Sequence, residues 1–258
     1  MKLVFDVGNT NAVMGVYDED ELIEFWRLAT ENIKTADEIG MFIIVMFNKW
    51  NIKFEDIDDV IVSSVVPNIM YSLLHGIQKY FNIEAKVISV DGNTGLDFSN
   101  MQNPYELGAD RIVNCMATHK LYTGPAIIID YGTATTYDVI DGKGKFITGV
   151  TAPGLRLSAD ALFQGTALLG KVAITKPASI IATDTITSVQ AGLLYGHIGQ
   201  SEYIIKKIKS ELGKDFETAK IIATGGLSKV IGEGTEIFDE VNSRLTLYGI
   251  KLYGDLNS

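Results

Sequence analysis

The sequence predicts an α/β fold in which one series of strands and helices occurs twice. Three short strands open each series, and alternating helices and strands follow them. A turn that starts with Asp-x-Gly comes at the end of the first strand in each series. The two turns start at Asp6 and Asp130, about 124 residues apart, and a repeat at this offset indicates a duplicated unit.

Apolar and alternating runs predict the strands of the first series at residues 3–5, 12–17, 22–28, 60–66 and 85–90. A capping box, Thr35-Ala36-Asp37-Glu38, opens a helix that runs to about Trp50. Pro67 ends the fourth strand, and a second helix follows it to about Phe81.

The second series starts after Gly124-Pro125, which interrupts regular structure. Its predicted strands lie at residues 126–129, 135–140, 145–150 and 220–223. Its predicted helices lie near residues 155–168, 185–212 and 245–256, with a short helix after Gly226. We therefore expect an N-terminal half, residues 1–117, and a C-terminal half, residues 118–258. Because no low-complexity linker joins them, we expect the halves to pack around a central cleft.

Composition and charge limit the classes of function. The chain has 258 residues, of which 47% are apolar and 21% are charged, as in ordinary globular proteins. Its formal net charge is −10, and an acidic chain without a basic cluster repels nucleic acids and anionic membranes. A phosphate ligand stays compatible with this charge, since backbone N–H groups and a cation can hold it locally.

The cysteine and histidines show no pattern typical of a metal site. Cys115 is the only cysteine, and we expect it in the core, while the histidines at 75, 119 and 197 lack metal-ligand spacing. The apolar run before Asp6 is too short for a signal peptide. The longest clear apolar run, residues 41–47, is too short to cross a membrane. We expect a cytoplasmic protein.

The turns at Asp6 and Asp130 carry the strongest chemical signal. The first turn, residues 6–11, reads Asp-Val-Gly-Asn-Thr-Asn, and the second turn, residues 130–136, reads Asp-Tyr-Gly-Thr-Ala-Thr-Thr. Glycine lets the backbone approach a ligand closely, and turn N–H groups can surround an anion. The aspartate cannot hold a phosphate directly, but it can hold a cation that bridges to one. One copy of this pattern is typical of an ordinary turn. Two copies at matched positions indicate that both turns bind the same phosphate chain.

Two other glycine-containing segments are weaker signals. Residues 165–171 spell Gly-x4-Gly-Lys, close to a P-loop. However, Val172 stands where a serine or threonine would contact magnesium, and a helical pattern precedes the segment where a P-loop has a strand. We therefore reject a P-loop there. Thr224-Gly225-Gly226 follows a strand and by itself indicates only a turn.

A further segment, residues 103–111, is called the acceptor segment and reads Asn-Pro-Tyr-Glu-Leu-Gly-Ala-Asp-Arg. It precedes a helix predicted from Arg111 to about Leu121. Asp110 allows two interpretations: an N-cap that accepts backbone N–H groups, or a general base that takes a proton from a substrate hydroxyl. Arg111 offers a fork that binds a carboxylate. The pair suits a small acid that also carries a hydroxyl group.

Taken together, these motifs resemble those of type III pantothenate kinases, which belong to the actin-like ATPase superfamily together with sugar and acetate kinases. The resemblance covers most of the chain, and its ordered segments are residues 6–10, 103–111, 130–136 and 153–163. Three positions depart from the family pattern: Met101, Thr148 and Thr151. The resemblance implies a duplicated actin-like ATPase fold, which is ribonuclease H-like in each half.

The resemblance also implies roles for individual residues. The ATP phosphates would contact Asp6, Val7, Gly8, Asn9, Thr10, Asn11, Ala12, Val13 and Thr133. Pantothenate would contact Gly108, Ala109, Asp110, Arg111 and Thr185, with Asp110 as the catalytic general base. Thr185 would act from the partner subunit of a homodimer. Asp6 would orient Mg²⁺ through water, and Asp130 would bind a monovalent cation, K⁺ or NH₄⁺.

The implied function is ATP-dependent phosphorylation of pantothenate to 4'-phosphopantothenate, the first step of coenzyme A biosynthesis. Two alternatives stay open: another small-molecule kinase of the same superfamily, or a regulator that binds ATP or pantothenate without catalysis. The joint presence of Asp6, Asp110 and Asp130 argues against a loss of catalysis.

One spacing bears on the implied homodimer. Gly192 and Gly196 lie four residues apart on the helix predicted to follow Thr185, so they share one helix face. Small residues on one face allow another helix to approach closely. A dimer interface and packing within the chain explain this spacing equally well.

Overall fold

The computed structural model describes residues 1–32 and 35–258. By their contacts, these residues divide into two compact units. The first unit contains Met1–Gly95, Asn103–Ala117 and Thr246–Ser258, and the second contains Leu96–Gln102 and Thr118–Leu245. The division into duplicated halves after residue 117 stays a prediction, because the compact units are not continuous in sequence.

Strands and helices alternate along the described chain. The strands are β1 (Lys2–Val7), β2 (Asn11–Asp18), β3 (Glu21–Ala29), β4 (Asp59–Ser64), β5 (Lys86–Val87), β6 (Ala126–Tyr131), β7 (Ala134–Ile140), β8 (Phe146–Pro153), β9 (Lys220–Thr224) and β10 (Glu240–Val241). The α-helices are α1 (Ala36–Trp50), α2 (Pro67–Phe81), α3 (Ala109–Leu121), α4 (Leu155–Gln164), α5 (Thr185–Leu212), α6 (Ser228–Gly232) and α7 (Leu245–Leu256). Short 3₁₀ turns lie at Thr30–Asn32, Phe54–Asp56, Pro104–Glu106 and Lys214–Phe216.

The two sheets have the same topology. The first has the strand order β3-β2-β1-β4-β5, and the second has the order β8-β7-β6-β9-β10. In each sheet the central strand pairs antiparallel with the strand that follows it and parallel with a strand from later in the chain. The predicted duplicated α/β architecture is therefore confirmed at the level of sheet topology.

The first unit buries its core on one face of β1. Leu3, Phe5 and Val7 pack in one apolar cluster with side chains of α1 and α2. Because side chains alternate across a strand, Asp6 lies on the opposite face. That face is approached by α7, since a Cβ atom on Gly15 of β2 would lie 3.5 Å from the Leu247 side chain.

The second unit repeats this arrangement around β6. Ile127, Ile129 and Tyr131 belong to an apolar cluster with side chains of α5 and β9. By the same alternation, Asp130 lies on the face of β6 opposite this cluster. The aspartate of each Asp-x-Gly turn is thus kept out of the core of its own unit.

A buried hydroxyl group ties α5 to the second sheet. The Ser201 hydroxyl lies 2.8 Å from the Tyr131 hydroxyl, 2.9 Å from the Tyr137 hydroxyl and 2.9 Å from the His197 carbonyl oxygen. Since the carbonyl only accepts, Ser201 donates to it and both tyrosines donate to Ser201. Burial raises the pKa of both tyrosine hydroxyls, which keeps them protonated as donors.

Most predicted elements are confirmed. The capping box is present: Thr35 Oγ1 accepts from the Glu38 N–H at 3.2 Å, and the Glu38 carboxylate accepts from the Thr35 N–H at 2.9 Å. The bounds of α5 and α7 are those predicted. Cys115 is buried in the core, as expected.

Two predicted elements differ from the structure, and one element of the structure was not predicted. The strand predicted at residues 85–90 shortens to β5, Lys86–Val87, because it pairs only with β4 at the edge of the sheet. The helix predicted near residues 155–168 ends at Gln164, where the Gly165 N–H bonds to the Ala161 carbonyl oxygen at 2.9 Å. The edge strand β10 was not predicted, since two residues carry no periodic signal.

We expect Ser201→Ala to lower the free energy of unfolding by about 2–4 kcal/mol, because it leaves two buried tyrosine hydroxyls without their acceptor. Ser210→Ala, at an exposed position of the same helix, is the matched control and should change stability by less than about 0.5 kcal/mol. Urea unfolding of both variants measures the difference. Equal stability of the two variants would contradict the assigned network.

Candidate active site

The first turn joins β1 to β2 and is closed by backbone hydrogen bonds. The Gly8 N–H donates to the Asn11 carbonyl oxygen at 3.0 Å. Thr30 secures the turn from the side: its hydroxyl donates to the Gly8 carbonyl oxygen at 2.6 Å and its N–H to the Thr10 carbonyl oxygen at 3.1 Å. A Cβ atom on Gly8 would lie 3.2 Å from the Asn11 oxygen. The turn is therefore tight because residue 8 has no side chain.

The residues assigned to ATP contact differ in exposure along this turn. Asn9, Thr10 and Asn11 are exposed, whereas Val7 and Ala12 are buried in the core. The exposed residues can contact a ligand with side chain and backbone. Val7 and Ala12 can do so only through the backbone.

The second turn joins β6 to β7 and rests on a third segment. The Gly132 N–H donates to the Ala134 carbonyl oxygen at 3.1 Å, and the Gly154 N–H donates to the Thr133 carbonyl oxygen at 3.2 Å. A Cβ atom on Gly154 would lie 2.6 Å from the Gly132 carbonyl oxygen. Gly154, which lies between β8 and α4, therefore allows the chain to approach the backbone of the turn closely. Thr133 stays exposed.

Asp130 lies in a row of polar side chains that crosses the second sheet. It is in register with Thr136 of β7 and Thr224 of β9, and Thr136 is in register with Thr151 of β8. The Asp130 carboxylate also occupies the space beside Gly225, where a Cβ atom would collide with Oδ1. Gly225 has a φ of +90°, a conformation that favours glycine.

Thr224-Gly225-Gly226 was assigned only a turn from the sequence. In the structure, its first two residues border the Asp130 carboxylate. The signal that could have found them is their position after β9, the strand that pairs parallel with β6 and ends at the same edge of the sheet.

The acceptor segment is held by local side-chain bonds. Asn103 Oδ1 accepts from the Tyr105 N–H at 3.3 Å, and its Nδ2 donates to Glu106 Oε1 at 2.9 Å. A 3₁₀ turn over Pro104–Glu106 then leads into α3. These bonds fix the conformation of the segment, which places Gly108 and Asp110 at the start of α3.

Asp110 is not the N-cap of α3, as one interpretation of the sequence held. The helix starts at Ala109, so Asp110 lies inside the first turn, and its Oδ1 accepts from the Arg111 N–H at 2.8 Å. Burial raises the pKa of the Asp110 carboxyl above its ordinary value, and the Arg111 N–H and guanidinium partly offset this rise. The first turn of a helix also favours a negative charge.

Gly108 and Val65 connect the acceptor segment to the first turn. A Cβ atom on Gly108 would lie 2.5 Å from Asp110 Oδ1 and 3.3 Å from Val65 Cγ1. Val65 follows β4, and its N–H donates to the Val7 carbonyl oxygen at 3.1 Å. The sequence did not single out Val65, although it follows the strand that pairs parallel with β1. The first unit therefore brings the first turn and the acceptor segment together at this residue.

An open cavity adjoins the acceptor segment within the first unit. Its volume is about 460 Å³, in the range of small-molecule sites. Gly108 and Ala109 line one wall, and Ser64 and Val65 line another. Most of the remaining lining is apolar. The cavity thus lies beside the residues predicted to contact pantothenate.

The other predicted site residues belong to the second unit. Thr185 is the first residue of α5 and is exposed. Asp184 caps this helix, since its Oδ1 accepts from the Thr187 N–H at 3.0 Å. Asp130 and Thr133 belong to the second turn of the same unit.

Within residues 1–32 and 35–258, no group of three or more His, Cys, Asp or Glu side chains is arranged to hold a metal ion. Within the same part of the chain, no helix combines the length and apolar character needed to span a membrane.

The family model of type III pantothenate kinases matches residues 2–207 of the chain. The chain belongs to the type III pantothenate kinase family. A type III pantothenate kinase from Agathobacter rectalis is 47% identical over 252 residues, which cover 98% of this chain and 96% of the relative. The predicted function is thereby confirmed: the chain is a pantothenate kinase of coenzyme A biosynthesis, and its reaction uses ATP.

Solved structures of more distant proteins share the fold. One is the activator of 2-hydroxyisocaproyl-CoA dehydratase from Clostridium difficile with bound ADPNP, which has a TM-score of 0.52 at 15% identity. The match covers 98% of this chain and 93% of the activator chain. The ethanolamine utilization protein EutJ from Carboxydothermus hydrogenoformans has a TM-score of 0.53 at 16% identity, covering 98% and 89%. These similarities confirm the actin-like ATPase fold class.

We expect Gly225→Ala to reduce kcat/KM for pantothenate phosphorylation by at least about tenfold, because the new methyl group displaces the Asp130 carboxylate and strains a positive φ. Gly226→Ala is the matched control, since a Cβ atom there meets nothing within 4 Å among the described residues. Steady-state kinetics of both variants provide the measurement. Similar losses in the two variants would show that the Asp130 contact is not responsible.

Proposed function

We propose that the chain transfers the γ-phosphoryl group of ATP to the hydroxyl of pantothenate, with Asp110 as the general base. The observation that carries this proposal is the position of Asp110 at the start of α3: its carboxylate lies against Gly108, and Gly108 lines an open cavity of the first unit. A small acid with a hydroxyl group can enter such a cavity and reach the start of the helix.

The environment of Asp110 supports this role. Burial raises the pKa of its carboxyl, which makes it a stronger base than an exposed aspartate. Hydrogen bonding from the Arg111 N–H and the charge of the Arg111 guanidinium partly offset this rise in pKa. Arg111 can in addition bind the carboxylate of pantothenate through its planar fork.

ATP would bind through the backbone and exposed side chains of the first turn, with Thr133 of the second turn as a further contact. The tight closure at Gly8 supports this, since it leaves room for a ligand to approach the backbone. Mg²⁺ usually keeps several waters and binds through one or two carboxylates plus substrate phosphates. Asp6 at the end of β1 is suited to that role. We also propose a cytoplasmic location, because the reaction consumes ATP.

A monovalent cation would bind at Asp130, and the residues around it are compatible with one. Thr136 Oγ1 and Thr224 Oγ1 are buried and have no hydrogen-bond partner among the described residues. Both threonines are in register with Asp130. Oxygen atoms of this kind are suitable ligands for K⁺ or NH₄⁺, which would supply positive charge near the phosphates.

A homodimer would form through α5. Gly192, Gly196 and Gly199 are exposed on one face of this helix, and a Cβ atom at each would meet nothing within 4 Å in the described residues. Contacts among the described residues therefore do not explain these glycines. Tyr203, which is 68% exposed, continues the same face. Through this interface, Thr185 of the partner subunit would contact pantothenate.

We expect Asp110→Asn to fold and to bind ATP normally but to lose about 10²–10⁴-fold in kcat, because the amide cannot accept the hydroxyl proton. Asp215→Asn, at an exposed position, serves as the charge-matched control and should keep full activity. Phosphopantothenate formation and ATP titration measure the two effects. Normal turnover of Asp110→Asn would remove Asp110 from the mechanism.

The pH dependence gives a second readout of the same residue. A general base works in its deprotonated form, so kcat/KM, which reports the pKa of the free enzyme, should fall as the pH drops through the pKa of Asp110. Because burial raises this pKa, half of kcat/KM should be lost at a higher pH than the ordinary aspartate value of about 3.9. Arg111→Met removes a charge that lowers the pKa, and the acid limb should then move to still higher pH.

We expect Gly196→Arg to convert the dimer to monomers, because a long charged side chain would separate the two helices. The KM for pantothenate should rise at the same time, since Thr185 of the partner subunit is lost. Asn48→Arg on the exposed side of α1 adds the same charge and should stay dimeric. Light scattering gives the molar mass of each variant. A dimeric Gly196→Arg protein would place the interface elsewhere.

A further inference from the structure

In each unit, the residue that follows the third strand is hydrogen-bonded to the Asp-x-Gly turn. Thr30 follows β3 and donates its N–H to the Thr10 carbonyl oxygen at 3.1 Å. Gly154 follows β8 and donates its N–H to the Thr133 carbonyl oxygen at 3.2 Å. Because the two sheets share one topology, Thr30 and Gly154 hold equivalent positions beside the two turns.

Of these two residues, only Thr30 has a side chain. It is 5% exposed, and its hydroxyl donates to the Gly8 carbonyl oxygen at 2.6 Å. In the second unit the chain is too close to the turn for such a bond, because a Cβ atom on Gly154 would lie 2.6 Å from the Gly132 carbonyl oxygen. The Thr30 hydroxyl therefore distinguishes the first turn from the second.

The two turns also differ in length. The Gly8 N–H donates to the Asn11 carbonyl oxygen, three residues further along the chain. The Gly132 N–H donates to the Ala134 carbonyl oxygen, two residues further along. The first turn thus contains one more peptide group whose orientation has to be fixed.

The peptide group between Gly8 and Asn9 is one that can rotate easily. Its rotation changes ψ of the first residue and φ of the second. Glycine adopts both signs of φ and a wide range of ψ, and asparagine adopts a positive φ more readily than most residues. The local sequence therefore does little to hold this peptide group, and the bond from the Thr30 hydroxyl holds its carbonyl.

The direction of this carbonyl sets the direction of the Asn9 N–H. In a trans peptide group the C=O and N–H bonds point in opposite directions. Since the Gly8 carbonyl points to Thr30, the Asn9 N–H points away from it. Asn9 is exposed, and N–H groups of such a turn can bind an anion. A rotated peptide group would present the carbonyl oxygen, which repels phosphate.

We propose that Thr30 is a positioning residue for ATP, whose hydroxyl holds the Gly8–Asn9 peptide group so that the Asn9 N–H is presented to the phosphates. This inference rests on the proposed function for the binding of ATP at the first turn. Thr30 acts through the backbone of the turn, which is then already ordered when ATP arrives. Its removal should therefore weaken the binding of ATP but not that of pantothenate.

The first test compares Thr30→Val, which removes the hydroxyl but keeps the shape, with Thr30→Ser, which keeps the hydroxyl. Thr30→Val should raise the KM for ATP and the Kd of a non-hydrolysable ATP analogue about three- to tenfold, since one hydrogen bond is lost. Its KM for pantothenate at saturating ATP should stay within about twofold of wild type. Thr30→Ser should bring the KM for ATP back to within about twofold of wild type.

Ile77→Val is the matched control for a loss of stability. Ile77 lies in α2, is 0% exposed and belongs to the apolar core of the same unit. The loss of one buried methyl group should lower the melting temperature by about 2–4 °C, and Thr30→Val should lower it by a similar amount. The KM for ATP of Ile77→Val should equal that of wild type. A rise as large as that of Thr30→Val would overturn the inference.

The second test follows the backbone amide signals of the first turn by ¹H–¹⁵N NMR while Mg²⁺ and the ATP analogue are added. The Asn9 signal should move in wild type and in Thr30→Ser, because its N–H enters a hydrogen bond with a phosphate. If the Asn9 signal of wild type stays in place while those of Thr10 and Asn11 move, the inference is overturned. This outcome is decisive even where a Thr30 variant does not fold.

Two further outcomes separate this inference from the proposed function. If first-turn signals including Asn9 move in wild type but Thr30→Val keeps the wild-type KM for ATP, this inference alone is rejected. If the analogue binds and no signal of the first turn moves, the proposed ATP site is rejected and this inference falls with it. If Thr30→Val does not fold, Thr30→Ala takes its place.

Discussion

The parallel pairing of each aspartate-bearing strand with its neighbour is the constraint on which the site depends. β1 pairs with β4, and β6 pairs with β9, in full register. Parallel strands end at the same edge of a sheet, and ligands in α/β folds bind beyond that edge. The loop that follows the neighbouring strand therefore lies at the same sheet edge as each aspartate. In the first unit that loop contributes Val65, and in the second it contributes Gly225.

Three glycines shape this site because they have no side chain. Gly154 lets the chain between β8 and α4 approach the backbone of the second turn, and Gly225 leaves room for the Asp130 carboxylate. Gly108 does the same for Asp110. In each case a methyl group would occupy the position of a carbonyl or carboxylate oxygen, so the glycine is required by close approach. Backbone freedom adds to this only at Gly225, where φ is positive.

The two units share one sheet topology, but they place Asp110 and Asp130 in different electrostatic environments. In the first, Asp110 is partly withdrawn from water, so that its pKa rises while Arg111 restrains the shift. A raised pKa makes a carboxylate a stronger base. In the second, Asp130 is surrounded by hydroxyl groups, which can ligate an ion without adding charge. A shared sheet order therefore does not imply equivalent chemistry at equivalent positions: Val13 is in register with Asp6, whereas Thr136 is in register with Asp130.

The sequence by itself predicted most of the elements and a set of candidate site residues. Local signals were sufficient for this: the capping box at Thr35 predicts the start of α1, and the repeated Asp-x-Gly turns mark both aspartates. Only the tertiary structure decided what surrounds these residues. The burial of Asp110, its contact with Gly108 beside Val65, and the alignment of Thr224 with Asp130 join residues from separate parts of the chain. Such contacts depend on strand register and on close packing, and neither has a signature in the local sequence.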